Sequence, residues 1–599
     1  MKKRKKEWID FQFRNRLLRN LHNFFEDFSF YLGLFVFLLV VYDVGFPHII
    51  EYIYFAVMYF IYLIGFTVTL GLRNLLNPKR EIPARIVQWV PVVLLAIFCY
   101  YKYTAIQEQP DYKSYTYYGS LILCFVLILL DSSRKVLLIY TKRFNPALAF
   151  VISFLLLSFM GCGLLLLPRA TVNGISFTDA LFTSVSAVCV TGLSTLDTAS
   201  EFTRLGKFFI LVLIQLGGLG ILSFTSFFGY LYKGGFSIEN QLFLKDFVTA
   251  ERVSDTFKSL AQIIVITLVV EVIGVACIYL TLGDGAFTSM GEKVRFSIFH
   301  AISAFCNAGF STIPNGLFNS QLATDYDFQF VICVLVLVGG IGFPIITDFY
   351  YYLLHYTKQI FGWLVDRQPI RHLPRTVSIN TTLVLVTSSI LLVVGMLTFF
   401  ITEARGLLTD HDSVAGKLMT TFFASVTPRT AGFNTFDMGL MQPATILIYL
   451  LLMWIGASPA STGGGIKTST FAVAMLNILS LARGKDRVEY RRRQIPTESV
   501  RRAFSTIMLS LLVIGPGILF ITVLDPEKEL ISVAFECFSA FSTVGLTLGI
   551  TPFLSDAGKF VLIILMFIGR VGTFTLFVAF VRQTRSISYR YPSETIFIN

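Results

Sequence analysis

The sequence predicts an all-α polytopic membrane protein: four pseudo-symmetric helix–half-helix–helix repeats gathered about one axis, plus extra N-terminal transmembrane helices. Three observations predict it. The chain of 599 residues is 55% hydrophobic and only 14% charged, where a soluble chain of this length divides into domains with polar surfaces. Its apolar runs approach the roughly 20 residues a helix needs to cross ~30 Å of hydrocarbon, and they are continuous, which sets a β-barrel aside. Finally, one local pattern recurs. Ser186 to Leu193 matches Ser303 to Phe310 and Ser539 to Leu546, and Ala424 to Phe433 is a looser copy. The glycines of these copies, Gly192, Gly309, Gly432 and Gly545, lie 117, 123 and 113 residues apart, and a phenylalanine stands ten residues before each (Phe182, Phe299, Phe422, Phe535). Near-constant spacing with a shared pattern is the mark of an internal repeat.

Residues 1–27 are basic and polar, and no short apolar core with a small-residue cleavage site follows, so they read as a cytoplasmic tail and not a signal peptide. Residues 28–142 hold about four further spans, at 28–46, 50–72, 87–104 and 117–131, the first interrupted by Asp43 and Pro47. The repeats then occupy 143–257, 258–376, 377–498 and 499–599, the last ending in a cytoplasmic C-terminus. Each has a long apolar run, a short run, a glycine-bearing segment and a second long run. These fall at 146–168, 177–188 and 204–232; at 259–282, 293–305 and 327–353; at 379–403, 414–426 and 440–482; and at 501–524, 529–541 and 557–582.

The short runs have only about a dozen residues, too few to cross, and read as re-entrant half-helices. Irregular backbone at membrane depth must be buried in protein or line water, so one shared aqueous path is the economical reading. Two full spans per repeat return the chain to its starting side. The repeats are then oriented alike and enclose a central pore, unlike the inverted repeats of many secondary transporters. Twelve full spans put both termini in the cytoplasm, and the predicted inner links carry the excess of 49 Lys+Arg over 37 Asp+Glu, for example Arg252, Lys258, Arg371, Arg483 and Arg585. That rule explains the net charge of +12 without nucleic acid. The eight cysteines lie mostly in apolar runs with no C-x-x-C pair, and the six histidines are scattered, so neither a disulfide framework nor a metal cluster is expected.

A narrow path for a monovalent cation needs oxygens that replace its water shell, and backbone carbonyls on one axis do so. Glycine permits the torsions that aim them inward. The expected selectivity filter is therefore Val190-Thr191-Gly192, Asn307-Ala308-Gly309, Thr430-Ala431-Gly432 and Thr543-Val544-Gly545. The structural alternative is that these glycines serve helix packing; four of them, each after the same short helix, speak against it. No acidic ring accompanies them, which argues against a divalent-cation filter.

The second long runs share another pattern. Gln215-Leu216-Gly217-Gly218-Leu219-Gly220 corresponds to Val338-Gly339-Gly340-Ile341-Gly342 and to Phe567-Ile568-Gly569-Arg570-Val571-Gly572. The third repeat has Gly456 to Thr468 instead, rich in small residues and broken by Pro459, which will not hold a regular helix. This loop, 456–468, with Gly463, Gly464, Gly465 and Lys467, reads either as a gate or as static packing. Arg570 sits mid-span, where a charge costs about 2.5–3.5 kcal/mol on insertion scales; it reads as a structural pair with a loop carbonyl or a carboxylate and as a positive barrier bracing the loop, two compatible roles. Glu271 lies in an apolar run with no role assigned.

The four glycine segments, the repeat plan and Phe567 to Gly572 resemble the Trk/Ktr/HKT superfamily of potassium transporters over about residues 140–599, the bacterial TrkH and KtrB membrane subunits more than the plant members. The resemblance implies potassium as the transported ion, held at the carbonyls of Gly192, Gly309, Gly432 and Gly545, and no cofactor. It gives the 456–468 loop an obstructing role below the filter. It further implies a homodimer in the lipids of a bacterial cytoplasmic membrane, partnered by a cytosolic nucleotide-binding regulatory subunit of the TrkA/KtrA kind. The chain carries no G-x-x-x-x-G-K-[ST] fingerprint of its own. A sodium- or proton-coupled secondary cation transporter remains the alternative. A membrane enzyme is disfavoured because no nucleophile–base or metal constellation is apparent.

Overall fold

The computed structural model describes residues 2–47, 52–76, 82–108, part of 117–128, 146–220, 256–283, 287, 289–319, 322–366 and 378–580. Three N-terminal helices come first: α1 (Lys2–Gly45), α2 (Tyr52–Leu76) and α3 (Ile82–Glu108). Helix α1 runs from the basic start straight through Asp43, so the tail and the first apolar run are one helix. Asp43 is buried and accepts hydrogen bonds from Tyr59 Oη at 2.6 Å and from Tyr117 Oη. Lys102 on α3 is buried too, its Nζ donating to Ser120 Oγ at 2.7 Å and to Ala56 O at 3.1 Å. Buried charges require such partners, and this polar seam lets an apolar bundle carry an Asp and a Lys. The bundle joins the remainder through Arg169 N donating to Gly45 O at 3.0 Å.

The repeats follow. Their first helices are α4 (Pro146–Leu165), α7 (Thr256–Thr281), α11 (Ile379–Thr402) and α15 (Thr497–Leu524). The half-helices are α5 (Phe177–Val188), α8 (Met290–Phe305), α12 (Val414–Val426) and α16 (Leu530–Phe541). Three start at a serine whose hydroxyl accepts a backbone N–H three residues on: Ser176 from Asp179, Ser289 from Glu292 and Ser413 from Gly416, at 3.1, 3.3 and 2.9 Å. This is N-capping, worth ~1 kcal/mol each.

The second helices differ from the uninterrupted spans expected. Helices α6 (Arg204–Leu219), α9 (Tyr326–Ile341) and α17 (Asp556–Val571) each stop after 16 residues, about 24 Å of rise. Each is followed by a glycine with positive φ: Gly220 (78°), Gly342 (97°) and Gly572 (88°). After Gly342 the chain turns by 100° into α10 (Phe343–Asp366), and after Gly572 it continues as α18 (Thr573–Phe580). The expected continuation 221–232 lies outside the described residues, as do the basic positions Arg252, Arg371 and Arg585. In the third repeat α13 (Pro443–Trp454) and α14 (Thr468–Ala482) flank the loop. Among the described residues, five helices are long and apolar enough to cross a membrane unaided, or six if the bent α9–α10 pair is one span. Among the described residues the second helices of the second and fourth repeats are thus broken, because glycine releases the helix where the run was expected to continue.

The helix-packing role considered for the filter glycines belongs to a different set. A Cβ on Gly217, Gly339 or Gly569 would fall 2.0, 1.9 or 1.7 Å from Val188 O, Phe305 O or Phe541 O. The second helices thus press directly on the ends of their half-helices, at the closeness only a missing side chain permits.

Candidate functional site

All four half-helices end on one backbone pattern. Beyond each, Val190, Asn307, Thr430 and Thr543 take left-handed torsions with φ of 58°, 61°, 69° and 50°. Two residues later Gly192, Gly309, Gly432 and Gly545 do so again, with φ of 90°, 69°, 75° and 91°. Three of the first set are β-branched, for which this region is strained by ~1–3 kcal/mol. Hydroxyls six or seven residues back along the chain tie the far end of each segment to its half-helix. Ser186 Oγ accepts from Gly192 N and Ser539 Oγ from Gly545 N, both at 3.1 Å. Ser303 Oγ donates to Phe310 O at 2.8 Å, and Thr427 Oγ1 donates to Phe433 O.

The glycine segments meet. A Cβ on Gly192 would lie 2.3 Å from Ala308 O; on Gly309, 2.9 Å from Ala431 O; on Gly432, 2.2 Å from Val544 O; and on Gly545, 2.1 Å from Thr191 O. The order closes on itself, first repeat to second, third, fourth and back to first. All four segments therefore gather about one axis with main-chain oxygens at each seam. No side chain, not even a methyl, fits there without moving backbone.

The loop of the third repeat lies against this ring. A Cβ on Gly463 would meet Thr430 Oγ1 at 2.2 Å, on Gly464 Thr543 Oγ1 at 2.3 Å, and on Gly465 Ser542 Cβ at 3.2 Å. Its other contacts tie it to the remaining repeats. Ser458 N donates to Gly340 O and Phe343 N to Ala460 O, both at 3.1 Å. Arg570 donates from Nη2 to Gly217 O at 2.6 Å and from Nη1 to Thr462 O. Of the two partners considered for Arg570, carbonyls are the ones found; among the described residues it makes no ion pair. Lys467 folds back, Nζ donating to Gly463 O at 2.5 Å.

Behind the ring stand polar residues that the sequence reading did not single out. Glu536 is fully buried and accepts from Thr551 Oγ1 at 2.8 Å and from Thr547 Oγ1. His300, also fully buried, bonds Phe296 O and Ser311 Oγ, both at 3.0 Å. Both stand nine residues before their glycine, and that shared register was the signal available. Lys559 pairs with Asp179 at 2.9 Å, joining the fourth repeat to the first.

Four half-helix ends meeting within an apolar helical bundle define a polytopic helical membrane protein. The family model described as TrkH, cation transport protein, matches residues 124–589. The chain is 36% identical over 464 residues to the potassium/sodium uptake protein NtpJ of Enterococcus hirae, covering 76% of this chain and 98% of that protein. It is 35% identical over 456 residues to the Ktr system potassium uptake protein B of Bacillus subtilis, covering 76% and 97%. The solved structure of the potassium transporter TrkH from Vibrio parahaemolyticus superposes with a TM-score of 0.55 at 17% identity, covering 88% of this chain and 97% of that one; at that identity the likeness is one of fold. The chain belongs to the TrkH family of cation transport proteins. It is a multi-pass membrane protein and not an enzyme.

Proposed function

We propose that this chain takes potassium into the cell through the four-glycine ring. The carbonyls of Val190-Thr191-Gly192, Asn307-Ala308-Gly309, Thr430-Ala431-Gly432 and Thr543-Val544-Gly545 replace the ion's water. The observation that carries the reading is the cyclic closure of the ring, in which each glycine abuts the carbonyl before the next. Carbonyl oxygens without an acidic ring suit a monovalent cation, and the names of the uptake proteins most like this chain supply potassium. The half-helices point their C-terminal, negative ends toward the ring, which favours a cation there.

The loop Gly456 to Thr468 is the gate, with Gly463, Gly464 and Gly465 obstructing passage and Arg570 and Lys467 holding them. Its carbonyl anchors come from three different repeats, so releasing it needs no repeat to unfold. Control belongs to a cytosolic nucleotide-binding subunit acting on a dimer of this chain whose termini face the cytoplasm, since the Ktr-system relatives carry the same core.

The test is Gly192→Ser in liposomes. Its Cβ falls on Ala308 O, so the ring must distort. The expected outcome is at least about a tenfold loss of potassium-over-sodium discrimination, ~1.4 kcal/mol. Rubidium uptake with unaltered sodium competition overturns the filter assignment.

A further inference from the structure

Glu271 has no part in the ring or the loop, yet it is 5% exposed within α7. Its Oε2 accepts from Gln215 Nε2 at 3.2 Å, while Oε1 has no hydrogen-bond partner among the described residues. One helical turn away, Thr267 is 1% exposed and its Oγ1 is likewise without a partner. Residues four apart share a helix face, so the two orphaned buried oxygens belong to one face of α7. Orphans of this kind are rare, because a buried polar atom without a partner has given up its water for nothing, and the loss is larger for a charge. A carboxylate at membrane depth with one neutral amide donor is far from satisfied.

We propose that Glu271 Oε1 and Thr267 Oγ1, with Gln215 orienting the carboxylate, form a loading site for one monovalent cation, a proton or a sodium ion, off the permeation axis. The cation neutralises the carboxylate and occupies the orphaned oxygens. The site is placed to report to the gate. Gln215 is two residues from Gly217, whose carbonyl receives Arg570 Nη2. Gln215 Oε1 also faces Cys306 Sγ, 3.9 Å away at the end of α8. The elements packed against α7 carry Arg204 and Lys207 on α6, Glu292, Lys293, Arg295 and His300 on α8, Cys306 just beyond it, and Asp327 and Cys333 on α9; among the described residues the Cys306 thiol is the one of these that contacts Gln215. Emptying the site frees Gln215, and with it the turn of α6 whose Gly217 carbonyl holds Arg570. This link to gating rests on the pathway proposed above; the binding itself does not.

Two measurements on the full-length detergent-purified protein test the site without any flux. Infrared difference spectra on changing pH report a carboxylic-acid band, and radiolabelled sodium reports binding near one ion per chain. The proposal expects one of the two signals in the native protein, its loss in Glu271→Gln, and a shift of about fivefold in apparent affinity in Thr267→Val, the size of one modest hydrogen bond. The band identifies a proton and the label a sodium ion. Neither signal in the native protein, as when only water fills the site, overturns it; so does a signal that survives in Glu271→Gln. Thr267→Val keeps the carboxylate, so it decides the matter should Glu271→Gln fail to fold. In liposomes, flux that depends on the identified cation becomes flat in Glu271→Gln. Binding with an unchanged flux profile in that variant removes the link to the gate and leaves the site.

Discussion

In the first, second and fourth repeats the second helix presses a glycine onto the end of its half-helix; in the third the corresponding stretch, Ile455 to Lys467, is a loop. The residue three positions before the ring glycine differs in the same way. It is Cys189, Cys306 and Ser542 in the three helical repeats, but Arg429 in the third. Cys306 packs against Gly218, its Sγ 2.7 Å from where a Cβ would be. Arg429 instead reaches α11, donating from Nη1 to Ser388 O at 3.1 Å and from Nη2 to Ser388 Oγ at 2.9 Å. A large side chain stands where the helical repeats have a small one, and the helix has given way to a loop beneath the ring. Four-fold likeness is thus kept where carbonyls must converge. It is abandoned in one repeat, and in the function proposed above that asymmetry gives the ring a removable obstruction.

Four variants break or sharpen this contrast. The largest effect is expected from Gly569→Val, because its Cβ would lie 1.7 Å from Phe541 O. Overpacking of this kind costs ~3 kcal/mol or more, so monodisperse protein should be lost in size-exclusion chromatography. Gly463→Ala in the looped repeat meets Thr430 Oγ1 at 2.2 Å and Ala457 Cβ at 2.6 Å, side chains on or beside a loop that can shift and not a half-helix carbonyl, and should be milder by the same measurement. Next comes Arg570→Gln. It removes two charge-assisted bonds of about 1.5–3 kcal/mol each, so basal potassium flux in liposomes should rise at least tenfold; lower flux in folded protein speaks against a restraining role. Arg429→Met keeps the volume and loses both bonds to Ser388. It should lower thermal stability by about 1–2 kcal/mol with little change in ion discrimination.

The smallest effect concerns the seam between the second and third repeats, where His411 bridges Tyr326 Oη and Thr420 Oγ1, both at 3.0 Å. His411 lies between α11 and α12, outside the spans. Burial pushes its imidazole below the ordinary histidine value, against Asp410, which raises it. The folded protein therefore favours the neutral ring. The seam's contribution is full above about pH 6.5 and declines as pH falls through the folded value. The difference in melting temperature between the native chain and His411→Gln should shrink on acidification; a constant difference refutes it.

The half-helices were legible because their signals are local: about a dozen mostly apolar residues with a shared phenylalanine, then glycine. The repeat itself was legible as a spacing. The breaks after the second helices were not, since Gly342 and Gly572 follow apolar runs and a glycine in such a run is compatible with continuous helix. Asp43 was misleading as a helix interruption because its partners, Tyr59 and Tyr117, are 16 and 74 residues away.

By itself the sequence determined that four short helices end in glycine segments within a membrane protein, because periodicity and composition act over one or two turns. Only the tertiary structure decided that the segments close into a ring, that Arg570 holds Thr462 and Gly217 across 108 and 353 residues, and that Glu271 keeps an orphaned oxygen. Those outcomes depend on which distant groups arrive at the same few ångströms, and chain order does not encode that distance locally.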